Sequence, residues 1–280
     1  MILNLDPQFN PFPNQKSIEY KSFLFSGGEP HIKIDNNFNT DDTITVTHRL
    51  QSFNDVGLLL LTVDALQRMG VKKIKAFIPY FPAARQDRLM VAGESLSVKV
   101  YADLVNTLQL DQVLVYDPHS EVTPALLNNC TTITNYTFIE KVISTLNNNV
   151  LLISPDGGAL KKIYKVSEFL GGKEVVECSK SRDVKTGKLS GFKVYADDLE
   201  GRDCLVVDDI CDGGGTFNGL AQELKNKNAG NLYLAVSHGI FSKGLESLSS
   251  YYNGIFTTDS FNTITKQPKV TQIPLATLLA

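Results

Sequence analysis

Hydrophobic residues follow two alternating patterns along the chain, one with helical spacing and one with the short runs of buried strands. From Asn54 the apolar positions fit one helix face, with Asn54 or Asp55 as predicted N-cap and Gly70 at the end. Further helices are predicted over 94–108, 138–146, 160–169 and 216–227. Strands are predicted over 71–78, 112–116, 150–154, 174–178, 204–207 and 232–237. The alternation predicts an α/β fold whose mainly parallel sheets are covered by helices.

Two stretches depart from this pattern. Near the N-terminus, Ile32 alternates with Ile34 and Ile44 with Val46, which indicates a strand-rich edge. The stretch 179–197 is polar and contains glycine, so we predict that it leaves the sheet. A boundary close to 134–136 divides the chain into two predicted domains. These are 1–135, rejoined by the tail 266–280, and 136–265.

The composition is that of a globular protein with enough apolar material for a core. The 280 residues are 42% hydrophobic, and 27 basic against 30 acidic residues give a formal net charge of −3. Intrinsic disorder is excluded by this balance. A non-specific nucleic-acid binder is also disfavoured, since such proteins carry a basic excess.

The sequence carries no signal for export or membrane insertion. No segment reaches the roughly 18 apolar residues that span a membrane, and the N-terminal residues lack a signal-peptide pattern. The cysteines are widely spaced and form no CxxC pair, which indicates free thiols in a reducing compartment. They are Cys130, Cys178, Cys204 and Cys211. We expect a cytoplasmic protein with no membrane or nucleic-acid partner.

The motif most specific for chemistry follows the strand predicted over 204–207. Two acids, Asp208 and Asp209, precede the turn Asp212-Gly213-Gly214-Gly215, and Thr216 then begins a helix. Glycines let the backbone approach a ligand closely, and the N–H groups at a helix N-terminus bind anions. Carboxylates suit vicinal sugar hydroxyls or a metal ion. The motif predicts a sugar-phosphate pocket, and the alternative is a tight turn beside solvated acids.

This element resembles the ribose-phosphate loop of type I phosphoribosyltransferases. Further motifs indicate which family within that superfamily the chain resembles. They are Phe25-Ser26-Gly27-Gly28-Glu29, Val63-Asp64-Ala65-Leu66, Ile78-Pro79-Tyr80-Phe81, Ala84-Arg85-Gln86-Asp87-Arg88, Asp117-Pro118-His119 and Ser154-Pro155-Asp156-Gly157-Gly158. Their set and order resemble the ribose-phosphate diphosphokinase, or PRPP synthetase, family. The resemblance implies two tandem phosphoribosyltransferase-like (Rossmann-like) α/β domains.

The resemblance also implies an activity and its residues. The family moves the β,γ-diphosphate of ATP to the anomeric hydroxyl of ribose 5-phosphate, giving PRPP and AMP with Mg²⁺ as cofactor. The residues implied in catalysis are Lys180 and Arg182, from the family's mobile catalytic loop, and Arg85. Those implied in ATP binding are Phe25, Glu29, Arg85, Gln86, Asp87, Arg88 and His119. Those implied in Mg²⁺ binding are His119 and Asp156. Those implied in ribose-phosphate binding are Asp208, Asp209, Asp212, Gly213, Gly214, Gly215 and Thr216. A homo-oligomer, a dimer or larger, is expected.

Several residues depart from the family's usual sequence. Gly27 replaces an acid near the adenine, Val91 and Gly93 replace arginines, and Gly213-Gly214 replaces a Thr-Ala pair. The last change predicts room beside the 5′-phosphate, so a bulkier ester such as ADP-ribose is an alternative acceptor. Two further alternatives are a non-catalytic regulatory subunit and a phosphoribosyltransferase that consumes PRPP. Retention of the implied catalytic residues argues against both.

Overall fold

The chain forms two compact units. The computed structural model describes residues 1–146, 149–182 and 189–279, and for 181, 182, 189 and 190 it describes the backbone alone. One unit comprises Met1–Thr134 and the tail from Leu275, and the other comprises Asn135–Pro274. Each unit has its own hydrophobic core.

The first unit is a parallel α/β sheet with a separate hairpin. Its elements are β1 (Ile2–Asn4), β2 (Tyr20–Leu24), β3 (Pro30–Ile34), β4 (Thr43–Thr47), α1 (Phe53–Arg68), β5 (Lys73–Ile78), α2 (Ser97–Asn106), β6 (Gln112–Tyr116), α3 (Val122–Leu126) and β7 (Cys130–Ile133). The parallel sheet has the order β1-β4-β5-β6-β7, whereas β2 and β3 pair as an antiparallel hairpin. Ile44 and Val46 of β4 are fully buried, as their alternation predicts.

Helix α1 begins earlier than the apolar pattern indicates. Ser52 is its N-cap and accepts a hydrogen bond from the backbone N–H of Asp55, whose carboxylate accepts from the N–H of Ser52 at 2.7 Å. This reciprocal arrangement is a capping box. The predicted N-cap, Asn54 or Asp55, is therefore wrong, because both residues lie inside the first turn.

A buried histidine follows β4. His48 is 5% exposed, and neither of its ring nitrogens has a hydrogen-bond partner among the described residues. Its Nε2 lies 3.6 Å from Asp55 Oδ1, which exceeds hydrogen-bond distance. Burial lowers the pKa of His48, and the charges of Asp55 and Asp6 only partly oppose it. His48 is therefore neutral in the folded protein at neutral pH.

We expect the free energy of unfolding to fall as the pH drops from about 6.5 through the lowered pKa of His48. In this window the unfolded chain binds a proton that the buried ring does not. In thermal denaturation between pH 7 and 5, His48→Asn should weaken the pH dependence, whereas His31→Asn, at an exposed histidine, should not. An equal pH dependence in wild type and His48→Asn would contradict this role.

The second unit is a larger mixed sheet. Its elements are α4 (Tyr136–Ser144), β8 (Leu151–Ser154), α5 (Leu160–Phe169), β9 (Val175–Arg182), β10 (Leu189–Val194), β11 (Cys204–Cys211), α6 (Gly215–Asn226), β12 (Leu232–Gly239), α7 (Glu246–Tyr251), β13 (Gly254–Thr258) and β14 (Val270–Ile273). The sheet order is β10-β9-β8-β11-β12-β13-β14, and β9–β10 is its antiparallel pair. The predicted α/β fold with mainly parallel sheets is confirmed. Among the described helices, none is long and apolar enough to cross a bilayer.

The stretch that follows Cys178 differs from its prediction. The polar stretch after Cys178 was predicted to leave the sheet, but β9 continues to Arg182 and β10 returns beside it, with Lys180 opposite Phe192. The buried side chains of Cys178 and Val194 hold this edge against the core. Residues 183–188 lie outside the described part of the chain.

The returning tail begins later than predicted. Its start was placed at Lys266, but β14 pairs with β13 and so belongs to the second unit. A 3-10 helix over Leu275–Thr277 follows. Leu275 is fully buried against Phe9, Phe77 and Tyr116 of the first unit, which ties down the tail from this residue.

Candidate active site

The two acids of the central motif lie within strand β11. The strand extends four residues beyond its predicted end at Val207, because Ile210 and Cys211 are buried and pair with β12. Asp209 is 5% exposed, and its backbone N–H donates to Asp208 Oδ1 at 2.9 Å. Both carboxylates are thus held at the carboxyl end of a central strand, where parallel sheets bind ligands.

A lysine that the sequence analysis did not single out partners one of these acids. Lys162 on α5 places its Nζ 3.5 Å from Asp209 Oδ2, and the Asp209 side chain is only 6% exposed. A cation at this distance offsets part of the cost of burying a carboxylate. Lys162 lies 47 positions before its partner in the chain, so local motif spacing does not point to it.

Asp208, the neighbouring acid, has a raised pKa. Loss of hydration at the strand end raises the pKa of Asp208 well above its ordinary value. The charge of Asp209 and a side-chain hydrogen bond with it add to the effect, and so does the charge of Asp156. Asp156, Asp208 and Asp209 thus form an acidic cluster in which ionisation of all three groups is costly.

The Gly-rich turn leads directly into a helix. Gly214 is the N-cap of α6 with φ 76°, a left-handed conformation that favours glycine. The cap provides no side-chain hydrogen bond to the first turn of α6, which begins at Gly215 and Thr216. The N-terminal N–H groups of this helix of 12 residues therefore suit an anionic group of a ligand.

The loop after β8 holds a second carboxylate in a fixed orientation. Asp156 Oδ1 accepts from the backbone N–H groups of Gly158 at 2.8 Å and Ala159 at 3.1 Å. Its other oxygen forms an ion pair with Lys180 Nζ. The structure therefore joins two predicted site residues from separate motifs. Lys180 lies on β9 rather than in a loop, and the side chain of Arg182 lies outside the described residues.

The predicted ATP-binding residues lie in the first unit. Arg85, Gln86 and Arg88 are exposed in the loop after β5, and the half-buried Asp87 has its Oδ1 3.9 Å from Arg88 Nε. His119 is half-buried after β6, the neighbouring strand. The loops after β5 and β6 thus leave the same edge of a parallel sheet, which is where ligands bind in such folds.

The hairpin tip carries the remaining predicted ATP residues, Phe25 and Glu29, and both are exposed. Phe25 belongs to an exposed ring cluster, with centroids 4.9 Å from Phe23 and 5.4 Å from His31. A Cβ on Gly27 would lie 2.5 Å from a carboxylate oxygen of Glu29. The glycine found in place of the family's acid therefore lets Glu29 lie closely against the turn.

The two predicted metal residues belong to different units, His119 to the first and Asp156 to the second. Among the described residues, no group of three or more His, Cys, Asp and Glu side chains is arranged to hold a metal ion. The carboxylates of the acidic cluster are hard oxygen donors of the kind that Mg²⁺ prefers. Mg²⁺ usually keeps several waters and needs few protein ligands. One carboxylate, that of Asp156, is therefore enough to hold this cofactor together with water and substrate oxygens.

The expected room beside the Gly-rich turn is filled. A Cβ on Gly213 would lie 3.3 Å from Lys243 Cδ, and a Cβ on Gly214 would lie 3.2 Å from Leu248 Cγ. The side chains that the glycines lack are thus replaced by side chains from the segment after β12. Gly213 and Gly214 therefore leave no open space for a bulkier acceptor, contrary to the prediction from their small size.

Cys211, the last residue of β11, is poorly suited to act as a nucleophile. Burial, with smaller effects of Asp208 and Asp212, raises the pKa of the Cys211 thiol to about 12. Burial likewise raises the pKa of Cys178 and of Cys204 to about 12. Thiols of such high pKa carry almost no thiolate at neutral pH, so covalent cysteine catalysis does not fit these positions.

Two family models match separate stretches of the chain. A family model described as the N-terminal domain of ribose phosphate pyrophosphokinase matches residues 14–108, and one described as a phosphoribosyl transferase domain matches 131–272. Ribose-phosphate pyrophosphokinases of Maricaulis maris and Shewanella oneidensis are 31% and 30% identical to this chain. Each comparison covers 91% of this chain and 84% of the relative.

A solved structure agrees in fold. The crystal structure of phosphoribosylpyrophosphate synthetase from Mycobacterium smegmatis matches with a TM-score of 0.85 and 23% identity, over 100% of this chain and 95% of that one. At this identity the match supports the fold alone, while the family models and the curated relatives establish the family. The resemblance predicted from the motifs is confirmed, and the chain belongs to the ribose-phosphate pyrophosphokinase family of enzymes.

Proposed function

We propose that this enzyme transfers the β,γ-diphosphate of ATP to the anomeric hydroxyl of ribose 5-phosphate, producing PRPP and AMP. The observation that carries the proposal is the continuity of Asp208 and Asp209 on β11 with the uncapped start of α6. One continuous stretch of chain thereby offers acceptors for sugar hydroxyls and donors for a phosphate. The curated relatives, named ribose-phosphate pyrophosphokinases, support this assignment.

The acceptor would bind at the end of β11. The N–H groups at the start of α6, together with the Thr216 hydroxyl, would hold the 5′-phosphate. Asp208 and Asp209 would accept hydrogen bonds from the ring hydroxyls. Lys162 would orient Asp209 for this role, since its Nζ lies 3.5 Å from Asp209 Oδ2.

In the transfer step, the anomeric oxygen attacks the β-phosphorus, and the bond from that phosphorus to the oxygen of the α-phosphate breaks. AMP leaves with the electron pair. Lys180 would move from Asp156 to the transferring diphosphate and stabilise the charge that spreads over its oxygens. The proton of the anomeric hydroxyl goes to Asp208, Asp209 or water. The pKa of Asp208 is raised, which makes its carboxylate a stronger proton acceptor than an ordinary one and favours it for this step.

The donor would bind through the predicted residues of the first unit. Arg85 and Arg88 suit phosphate oxygens, because guanidinium groups make bidentate contacts with them. The exposed Phe25 offers a ring face for stacking with the adenine. His119 and Arg182 keep their predicted roles as proposals, as do the cytoplasmic location and assembly of the chain into a homo-oligomer.

Mg²⁺ is the cofactor that we propose for this reaction. Asp156 would hold it together with ATP oxygens and water, and the ion would neutralise charge on the phosphate groups. The acidic cluster supports this assignment. Its three carboxylates disfavour one another's ionisation, so the cluster gains from a nearby cation. Mg²⁺ prefers oxygen to imidazole nitrogen, which favours Asp156 over His119 as the direct ligand.

Chromatography of reaction mixtures tests the proposed function. With ATP, Mg²⁺ and ribose 5-phosphate we expect equimolar AMP and PRPP, and no AMP when either Mg²⁺ or the acceptor is omitted. A parallel reaction with ADP-ribose tests the alternative acceptor. If AMP is released with ADP-ribose but not with ribose 5-phosphate, ADP-ribose is the acceptor and the proposed acceptor is wrong. Absence of AMP with both acceptors would contradict the proposed activity and favour a non-catalytic regulatory subunit or a phosphoribosyltransferase that consumes PRPP.

A further inference from the structure

The segment after β12 is tied to the Gly-rich turn by backbone hydrogen bonds. The N–H groups of Ile240 and Phe241 both donate to the carbonyl oxygen of Cys211, at 2.9 and 3.1 Å. The N–H of Ser242 donates to the carbonyl oxygen of Asp212 at 3.2 Å, and its hydroxyl donates to Asp212 Oδ1 at 2.5 Å. The position of this segment follows from the register of the sheet, in which Cys211 lies opposite Gly239.

This tether places one lysine against the turn. The aliphatic stem of Lys243 lies over Gly213, since a Cβ there would be 3.3 Å from its Cδ, 3.4 Å from its Cε and 3.6 Å from its Cγ. A side chain at position 213 would compete with the stem for this space. The glycine therefore allows Lys243 to lie close to the turn whose N–H groups are proposed to hold an anion.

The ammonium of Lys243 is available for a ligand. Lys243 is exposed, and its Nζ has no hydrogen bond or ion pair among residues 1–146, 149–180 and 191–279. Two other lysines of the same unit are paired in the structure, Lys162 with Asp209 and Lys180 with Asp156. A lysine with a packed stem and an unpaired ammonium beside an anion-binding turn is suited to phosphate binding.

We propose that Lys243 is a specificity-determining residue that contacts the anionic 5′ group of the acceptor. This inference rests on the proposed function, because it concerns the turn that would hold the 5′-phosphate. The stem of Lys243 takes the space left by Gly213, and its ammonium adds a cation to the neutral N–H donors of α6. A point charge suits a phosphate monoester and also the diphosphate of a larger ester.

The test compares Lys243→Met with Lys266→Met, which removes the same charge from an exposed position in the same unit. For Lys243→Met we expect the KM for the acceptor to rise about five- to twentyfold, a factor typical of one lost charge-assisted contact. The KM for ATP should stay within twofold, and Lys243→Arg should restore most of the acceptor affinity. Lys266→Met should behave as wild type. An unchanged acceptor KM in Lys243→Met, or an equal rise in the KM for ATP, would overturn the proposal.

Binding without turnover separates this inference from the proposed function. Titration calorimetry with ribose 5-phosphate alone should give a Kd that rises in Lys243→Met by the same factor. If wild type and variant bind ribose 5-phosphate equally, the inference fails even where AMP is made. If Lys243→Met binds ribose 5-phosphate more weakly than wild type but wild type makes no AMP, the role of Lys243 in binding stands and the proposed transfer activity is wrong.

Discussion

Lys180→Ala is expected to lower kcat by about 10²- to 10³-fold while changing the KM values for ATP and the acceptor far less. In the structure Lys180 forms an ion pair with Asp156, so before the reaction its ammonium contacts this carboxylate rather than a substrate. Its contact with the diphosphate would strengthen only as negative charge builds up there. Loss of an interaction made mainly in the transition state lowers kcat rather than ground-state binding. Initial rates over a grid of ATP and acceptor concentrations measure this division.

Lys193→Ala is the matched control for this variant. Lys193 lies on β10 opposite Ser179, one residue before Lys180, and its Nζ lies 4.9 Å from the ring centroid of Tyr195. The Lys193→Ala substitution thus removes a lysine side chain from the same strand pair without affecting the ion pair of Asp156. We expect kcat within about threefold of wild type. A kcat of Lys180→Ala in this range would refute the role proposed for Lys180.

Asp208→Asn is expected to stabilise the protein while impairing its activity. The pKa of Asp208 is raised, so ionising this carboxyl destabilises the fold as the pH rises from about 3.9 through the folded pKa. An amide of the same shape cannot ionise. Each kcal/mol of relief at pH 7 would raise Tm by roughly 2–4 °C. Loss of a charge-assisted contact with a sugar hydroxyl, worth about 1.5–3 kcal/mol, should lower kcat/KM by about 10- to 100-fold.

Scanning calorimetry at several pH values checks the stability effect. The gain in Tm of Asp208→Asn should shrink as the pH falls and vanish near pH 4, where wild-type Asp208 is also protonated. Asp197→Asn, which changes an exposed carboxyl of the same unit, should alter Tm little at either pH. A Tm of Asp208→Asn at or below that of wild type at pH 7 would show that Asp208 is not under electrostatic strain.

Hydrophobic spacing predicts most of the fold, and it fails where polar side chains belong to regular structure. Helix α5 has the predicted bounds, because its apolar positions form one clear stripe. Strand β11 runs past its predicted end, since Asp208 and Asp209 interrupt the apolar run before the buried Ile210 and Cys211. Edge strands such as β10 escape prediction for a related reason: with one neighbouring strand and an exposed side, they need few apolar residues.

The candidate site divides in the same way. Motifs within one loop could be read from the sequence, including Asp208 to Thr216 and the residues around Asp156. The pairing of Asp156 with Lys180 could not, because it depends on the order β9-β8-β11 in the sheet. Lys162 and Lys243 come from a helix and from the segment after β12, neither of which belongs to a motif. Only the three-dimensional structure places these two cations beside the acids and the turn.

The origin of the bridging oxygen in the product is the most direct test of diphosphate transfer. Ribose 5-phosphate labelled with ¹⁸O at the anomeric hydroxyl would be mixed with ATP, Mg²⁺ and enzyme and followed by phosphorus NMR. The account predicts AMP without label and a new diphosphate whose phosphorus bonded to the sugar oxygen shows the ¹⁸O isotope shift. Label in AMP, or formation of ADP in place of AMP, would contradict attack of the anomeric oxygen on the β-phosphorus.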